Sequence, residues 1–303
     1  MIVHNAIGLQ SDILSLLEKS ILHMDKNQIR AWMKYEFDPS SMFCMIIDNK
    51  VVSCLQTKRR TFYNGESKCM ATVFTMAATL PDYRQRRYFS ALLEAALSRS
   101  NANDLVSVVY TTFPKLFETR SFLPVSKTLK YSISSYRCDK GNEKNVSFYN
   151  ETMDLYPIYK QFMSCFDGSI QYTKQEFENQ LAYQLNSQKK ILVMKKDNDI
   201  DGFLVYKDLK THIKVDYMVY LNSSSIYDAF RYLSLRTTSI TFIVSEYERM
   251  EKLFLLDYPR LEGELLVRLN HARLFSQWSG KEIKNASQYY QSLENPVWMH
   301  VIE

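Results

Sequence analysis

Glycine is scarce in this chain. Its 303 residues include 7 glycines, where average usage would supply roughly 21, and none lies between Gly65 and Gly141. Any loop in that interval that needs a left-handed backbone must build it from residues that carry side chains. Cysteine pairs are missing too. Cys44, Cys54, Cys69, Cys138 and Cys165 form no CxxC motif and sit mostly in apolar, strand-like runs, so they read as reduced core residues and not as disulfides or metal ligands. The five histidines are dispersed, and no metal site is expected. No apolar run approaches the roughly 18 residues of a membrane span, and "MIVHNAIGLQSD" lacks the basic start and apolar middle of a signal peptide. A cytoplasmic protein of bacterial type, with no membrane partner, is the expectation. The net charge of +5, with both signs mixed along the chain, permits an anionic ligand but is too weak for a nucleic-acid footprint. The 21 tyrosines do not change this, because the aromatic residues follow strand periodicity and read as core.

What is present is a folded composition, 46% hydrophobic and 23% charged, in a chain long enough for two domains. Two helices come first, over 10–23 and 27–36, the former with Ile13, Leu16, Leu17 and Ile21 on one stripe. "MFCMII" and "VVSCLQT" flank Asp48-Asn49, and "RRTFY" and "KCMATVFTMAAT" flank Asn64-Gly65, a hairpin signal. The result is an antiparallel meander of about four strands, the last apolar on both faces as a central strand should be. Pro81 breaks the chain before a helix at 88–98. A strand at 105–110, a short helix at 114–119 and an alternating strand at 128–137 complete the first half.

The second half repeats this order without repeating the letters. Helices are expected at 153–165, 173–187, 224–235 and from Glu246 to about Leu255, and strands at 189–196, 201–208, 212–220, 239–244 and 264–270. A helix in "EIKNASQYYQSLE" and an apolar strand "VWMHVI" end the chain. The fold class is therefore α+β: tandem lobes of one topology, each a mixed, mostly antiparallel sheet flanked by helices.

The stretch "LPDYRQRRYFSALLEAAL" at 80–97 carries the main chemical signal. A helix start presents unpaired N–H groups and a positive dipole end, which suits an anion and a pyrophosphate in particular. Arg84, Arg86 and Arg87 add side-chain charge; the plainer alternative is a solvated basic turn.

This stretch resembles the phosphate-binding turn of the GNAT N-acetyltransferases, whose signature is Arg/Gln-x-x-Gly-x-Gly/Ala at the start of the helix after the fourth strand. "TLPDYRQRRYFSALL" looks like the common form "TxPxYRgkGygsaLL", with Arg84 at the first signature position, Arg87 on the glycine and Phe89 on the Gly/Ala position. "PKLFETRSFLPV" is similar to "PxxYExxGFxPV", with Phe117 in place of a tyrosine and Ser121 in place of a glycine. The tandem order resembles the Eis type, in which two GNAT-like lobes precede a domain like a sterol carrier protein. "GELLVRLNHARLF" at 263–275 is similar to the start of that third domain, and the residues after it are too few to complete it. The implied division is 1–141 for the acetyl-CoA lobe, 142–262 for a second lobe without a cofactor loop, and 263–303 for the truncated tail.

The resemblance implies acetyl-CoA as cofactor, with Ala77, Ala78 and Thr79 lining its pantetheine and Gln85, Arg86, Arg87, Tyr88, Phe89 and Ser90, after Arg84, offering amides to its pyrophosphate. If Arg87 adopts helical angles, the cradle survives with its side chain swung onto a phosphate; if it cannot, the pocket is narrowed or shut. GNAT transfer is direct attack of an amine on the thioester, which needs a base and an acid. The family's acid is a tyrosine at the place of Phe117, and Tyr110 is the substitute, unless it is a structural aromatic. No carboxylate stands between Cys69 and Thr79. Eis-type enzymes use a terminal carboxylate as base, which points to Glu303, and Glu118 matches the family's Tyr-Glu pair. "LNSSSIYDAF" in the second lobe has no basic cluster, so that lobe is expected to bind no CoA and to wall the acceptor cleft, with Asp216 and Tyr217 facing it. Two functions follow: an N-acetyltransferase acting on an amine of a small molecule or peptide, or a binding or regulatory protein that keeps the fold without the chemistry. A homo-oligomer is compatible with either. A splayed strand pair is expected in the first lobe alone.

Overall fold

Turn dipeptides and one long apolar run set the first sheet. The structure, a computed structural model, describes residues 1–298, which fall into two units. The first comprises Met1–Val125, Ile170–Tyr172 and Leu266–Ser292; the second comprises Ser126–Ser169, Thr173–Leu265 and the chain from Leu293 onward.

In the first unit, β1 (Ile2–His4), α1 (Gln10–Ser20) and α2 (Lys26–Tyr35) precede β2 (Met42–Ile47), β3 (Lys50–Asn64) and β4 (Ser67–Thr79). Helix α1 buries the expected Ile13, Leu16 and Leu17. Helix α2 begins with a reciprocal capping box, in which Asp25 Oδ1 accepts from the Gln28 amide and Gln28 Oε1 from the Asp25 amide, each at 2.9 Å. Asp48 and Asn49 both take positive φ, 47° and 58°, in the turn joining β2 to β3. "VVSCLQT" and "RRTFY" form one strand and not two. The sheet continues through α3 (Tyr88–Asn103), β5 (Val106–Thr111) and α4 (Lys115–Glu118) in the order β1-β2-β3-β4-β5.

The register of β4 is the feature that matters for function. Leu55 pairs with Ala77 and Thr57 with Phe74, so the single residue Gln56 faces two, Thr75 and Met76. This is a β-bulge, which bends the strand that carries the extra residue. On its other side β4 pairs in parallel with β5 from Ala71↔Val106 to Phe74↔Val109, and the register stops there although both strands run on.

The second unit takes up β6 (Leu123–Ser134) and holds β7 (Val146–Phe148), α5 (Tyr156–Met163), α6 (Lys174–Asn186), β9 (Lys190–Lys196), β10 (Asp199–Asp208), β11 (Ile213–Tyr220), α7 (Ser223–Ser234) and β12 (Ser239–Ser245). The short β8 (Ser169–Gln171) and the longer β13 (Arg260–Leu269) contribute residues to both units. The sheet order is β6-β12-β11-β10-β9-β7. Here too a central strand pairs antiparallel on one side and parallel on the other with a bulge between: Val205 pairs with Tyr217 and Tyr206 with Val215, leaving Asp216 as the extra residue. The parallel β11–β12 register ends at Val215↔Phe242. The truncated parallel pair expected in the first lobe alone therefore occurs in both, because each central strand carries a bulge where the pairing stops.

Other local expectations are corrected by side chains that act at a distance. Where a helix from Glu246 to Leu255 is expected, there is a single turn at Met250–Lys252. Glu248 turns inward, its carboxylate accepting from the Ser245 amide at 2.8 Å, the Tyr220 hydroxyl at 3.0 Å and the Trp298 indole at 3.0 Å. The tail holds α8 (Ala272–Ser279), ended by Gly280 at φ 68°, and a shorter α9 (Ala286–Gln291). Phe275 and Tyr289, both fully buried, pack with Trp278 around the Phe62 ring of β3 at 6.0–6.5 Å, and burying each such ring contributes about 2–3 kcal/mol. Of "VWMHVI", Val297 and Trp298 are buried without joining a strand, and the rest lies outside the described residues. The cysteines are free; Cys44, Cys54 and Cys138 are buried, and Cys165 is exposed. Burial pushes the Cys44 thiol up to about 12, so it is inert as a nucleophile.

Candidate active site

Between β4 and α3 the chain leaves its backbone donors open. Leu80 donates to Val52 O at 3.0 Å, Tyr83 to Leu80 O at 2.9 Å and Arg84 to Pro81 O at 3.2 Å, closing one tight turn over Pro81–Tyr83. Helical bonding resumes with Ala91 donating to Arg87 O at 3.0 Å. The amides of Gln85, Arg86, Arg87, Tyr88, Phe89 and Ser90 donate to no atom among the described residues. Gln85 has φ 61°, and Arg87, the N-cap of α3, sits at φ 61° and ψ 15°. These are left-handed conformations that glycine adopts freely and other residues adopt at a cost of roughly 1–2 kcal/mol. Left-handed residues next to a helical turn make successive N–H groups converge on one concavity, an anion-binding nest, here at the positive end of a 16-residue helix. Arg87 thus takes a left-handed backbone of the kind glycine adopts freely, and not the helical angles on which survival of the cradle is expected to depend. Ser121, at the second missing glycine, is likewise left-handed with φ 62°.

The three arginines have different surroundings. Arg84 donates Nε to Thr79 O and Nη2 to Ser20 O, both at 3.3 Å, so it braces the turn against the ends of β4 and α1. The Arg86 guanidinium lies 5.3 Å over the Tyr83 ring, whose centre is 5.5 Å from Lys50 Nζ. Arg87 is exposed.

Ala77, Ala78 and Thr79 lie on β4 beyond its last β5 partner. Their β3 side is occupied: Ser53 Oγ bonds Ala78 O at 3.1 Å and Thr79 Oγ1 at 2.8 Å. Tyr110 is half-buried, one residue past Val109, where the two strands part. Phe117 is buried, with its ring edge-on to Phe89 at 5.9 Å and to Phe122 at 5.6 Å, and Phe122 meets Phe74 at 5.8 Å. This aromatic stack runs from the first turn of α3 to the last paired residue of β4 and holds no hydroxyl at the Phe117 position. Glu118 is exposed. In the first unit Arg84 reaches Thr79 and Phe89 meets Phe117, Tyr110 stands on β5 just past its last β4 partner, and Glu303 lies outside the described residues.

In the second unit, Asp216 is held by Lys189 Nζ at 3.0 Å and Lys214 Nζ at 2.9 Å. Although burial opposes its charge, these two lysines keep its carboxyl below the usual range. Tyr217 is buried against Phe203 and Trp298 at 5.8 and 5.6 Å. A locked ion pair and a core ring stand where cleft-facing side chains are expected.

Sequence reasoning also misses a buried polar group on β3. Gln56, fully buried, donates Nε2 to Glu36 O at 3.0 Å and accepts from the Asp38 amide at 2.9 Å. Two residues along the same face, Lys58 forms an ion pair with the Glu36 carboxylate. The i, i+2 placement of Gln56 and Lys58, which puts both on one face of β3, is the available sequence signal. Among the described residues, no group of three His, Cys, Asp or Glu side chains is placed to hold a metal ion, and no helix is long and apolar enough to cross a membrane.

Residues 10–120 match the family described as acetyltransferase (GNAT) domain. Among solved structures, the chain is similar to a GCN5-related N-acetyltransferase from Anabaena variabilis (11% identity, 89% of this chain and 73% of that one, TM-score 0.70). It is similar to another from Kribbella flavida (12%, 89% and 70%, TM-score 0.67) and to Eis1 from Mycobacterium abscessus (12%, 92% and 75%, TM-score 0.65). At these identities the likeness is one of fold. No curated protein matches the chain.

Proposed function

We propose that this chain, whose residues 10–120 match the GNAT acetyltransferase domain and whose fold is that of the GNAT and Eis proteins, is an acetyl-CoA-dependent N-acetyltransferase. Its acceptor is an amine of a small molecule or a peptide. The observation that carries the reading is the run of six unengaged amides from Gln85 to Ser90, shaped by left-handed Gln85 and Arg87. These amides would hold the pyrophosphate, with the Arg86 and Arg87 guanidinium groups around it. The β4 backbone from Ala77 to Thr79, free of β5, would pair with the pantetheine amides.

Bound acetyl-CoA supplies an activated acyl group with a thiolate leaving group. The protein orients the thioester and excludes water from it. It places the amine for in-line attack, an effect that can be worth about 7–11 kcal/mol of barrier. Thiolates leave more readily than alkoxides, so Phe117 does not forbid transfer, and Tyr110 is the nearest phenol along β5.

A second reading rests on that aromatic stack: a protein that binds acetyl-CoA as a signal and transfers nothing. Titration calorimetry with acetyl-CoA, followed by mass spectrometry of spermidine and a lysyl peptide incubated with the protein and acetyl-CoA, separates the two. Binding with acetylated product supports the transferase; binding without product supports the second reading; no binding refutes both.

A further inference from the structure

We infer that Glu36 accepts the proton that the amine must shed, with Lys58 as its charge partner and Gln56 as the residue that fixes it beside the β4 bulge; this rests on the transferase reading above. The geometry begins at the bulge. Thr75 and Met76 bow out of β4 one residue past its last contact with β5, and Gln56 faces them across the sheet. The Gln56 amide nitrogen lies 3.0 Å from Glu36 O and 3.4 Å from Thr75 Oγ1, while its oxygen takes the Asp38 amide. One fully buried side chain thereby ties the end of α2 to the point where the strands part. Lys58, on the same face of β3, brings its ammonium to the Glu36 carboxylate. The two side chains keep 10% and 12% of their surface, so they are largely desolvated yet within reach of one water.

Stability does not account for this pair. A buried ion pair can often be replaced by apolar residues at little or no cost. Two other carboxylates of the unit, Asp104 and Asp38, have partners of their own. Asp104 is bound by Arg59 at 2.8 and 2.9 Å and by Thr72. Asp38 caps its own turn through Ser40 at 2.7 and 2.9 Å. The charged groups acting on Lys58 are Glu36, Arg60 and Asp38. Burial holds the Lys58 ammonium below its ordinary range, against the opposing pull of the Glu36 carboxylate.

In the step, the ammonium form of the acceptor hands one proton to the Glu36 carboxylate, directly or through one water, and that proton passes on to solvent. The neutral nitrogen then attacks the thioester carbonyl; the C–N bond forms and the C–S bond breaks. The second proton, shed by nitrogen as the sulfur leaves, goes to the thiolate. One proton is released per turnover, and no acid at Phe117 is needed.

The test is acetyl transfer from acetyl-CoA to spermidine, followed by mass spectrometry across the acid and alkaline range, with acetyl-CoA affinity and melting measured on the same samples. Glu36→Gln with Lys58→Met removes both charges and leaves no orphan ion. This pair of substitutions is expected to lower kcat about 100-fold or more, to abolish the acid limb of kcat/KM and to leave acetyl-CoA affinity unchanged. Lys58→Met alone removes a cation beside Glu36 and moves the acid limb to higher pH. An active wild type whose double variant keeps kcat and the acid limb overturns the assignment and leaves the transferase reading standing. A wild type that binds acetyl-CoA but acetylates nothing overturns both. Should the double variant not fold, an unmoved limb in Lys58→Met overturns the assignment on its own.

Discussion

Replacing Arg87 by glycine should make the protein more stable and its grip on acetyl-CoA weaker. The stability term follows from the backbone: at φ 61° and ψ 15°, a residue with a Cβ sits about 1–2 kcal/mol above its relaxed state. Glycine removes that strain and returns part of the gain as extra freedom of the unfolded chain, about 0.4–1 kcal/mol. The net is about 0.5–1 kcal/mol of stabilisation. For units of this size it appears as a rise in Tm of about 1–4 °C. The affinity term follows from charge. An exposed guanidinium at the rim of a phosphate site contributes about 1 kcal/mol, near fivefold in Kd, and the effect shrinks as salt is raised. Thermal unfolding and calorimetry with acetyl-CoA at two salt concentrations measure both. A lower Tm would mean that Arg87 is held in place by something stronger than its strain. Unchanged affinity at low salt would put the cation outside the reach of the phosphates.

Ser121→Gly, at φ 62° and exposed, should raise Tm by a similar amount without touching affinity; a fall in Tm would refute the strain argument at this position. Phe117→Ala empties the centre of the aromatic stack and should cost about 3–5 kcal/mol by denaturant unfolding, and a loss below about 1 kcal/mol would show that the stack collapses freely. Asp216 has its carboxyl held below the usual range by Lys189 and Lys214. Its contribution is therefore present above the ordinary carboxylate range and is lost as pH falls through the lowered value. Asp216→Asn should destabilise by about 3 kcal/mol at neutral pH, because the buried Lys189 and the half-buried Lys214 lose their partner, and the gap to wild type should close in acid. A gap that stays constant with pH would assign the loss to packing.

Elements whose cause lies within a few residues were legible in the sequence. The Asp48-Asn49 turn, the stripe of α1 and the apolar run of β4 are of this kind, and each is where the pattern puts it. What stayed hidden depends on partners far along the chain. No local pattern tells that Ser134 pairs with Ser239 in the β6–β12 ladder. The missing helix after β12 has the same origin, since Glu248 is drawn inward by Tyr220 and Trp298. The sequence leaves the backbone at 87 open, and the chain takes positive φ there and at 121. Residue type reports what a backbone tolerates; the fold decides what it is made to do.

That distinction separates the two units. Each has a central strand with a bulge at the point where parallel pairing ends, so the sheet alone does not distinguish them. The difference lies in what reaches the following helix. In the second unit two residues join β11 to α7, and the carboxylate of Asp201 already sits at the helix start. There it accepts from the Asn222 side chain at 2.6 Å and from the Ser225 hydroxyl, and the Leu221 amide donates to Asp201 O at 2.9 Å. An internal anion at the positive end of a helix excludes an external one by charge and by space. In the first unit eight residues stand between β4 and α3, and the amides of Gln85–Ser90 are turned to no internal acceptor among the described residues. Asp201→Asn should therefore lower the stability of the second unit by about 1–2 kcal/mol and leave acetyl-CoA stoichiometry at one per chain, because the loop that builds the nest is still missing. A second equivalent bound in that variant would show that the carboxylate, and not the loop, is what distinguishes the units.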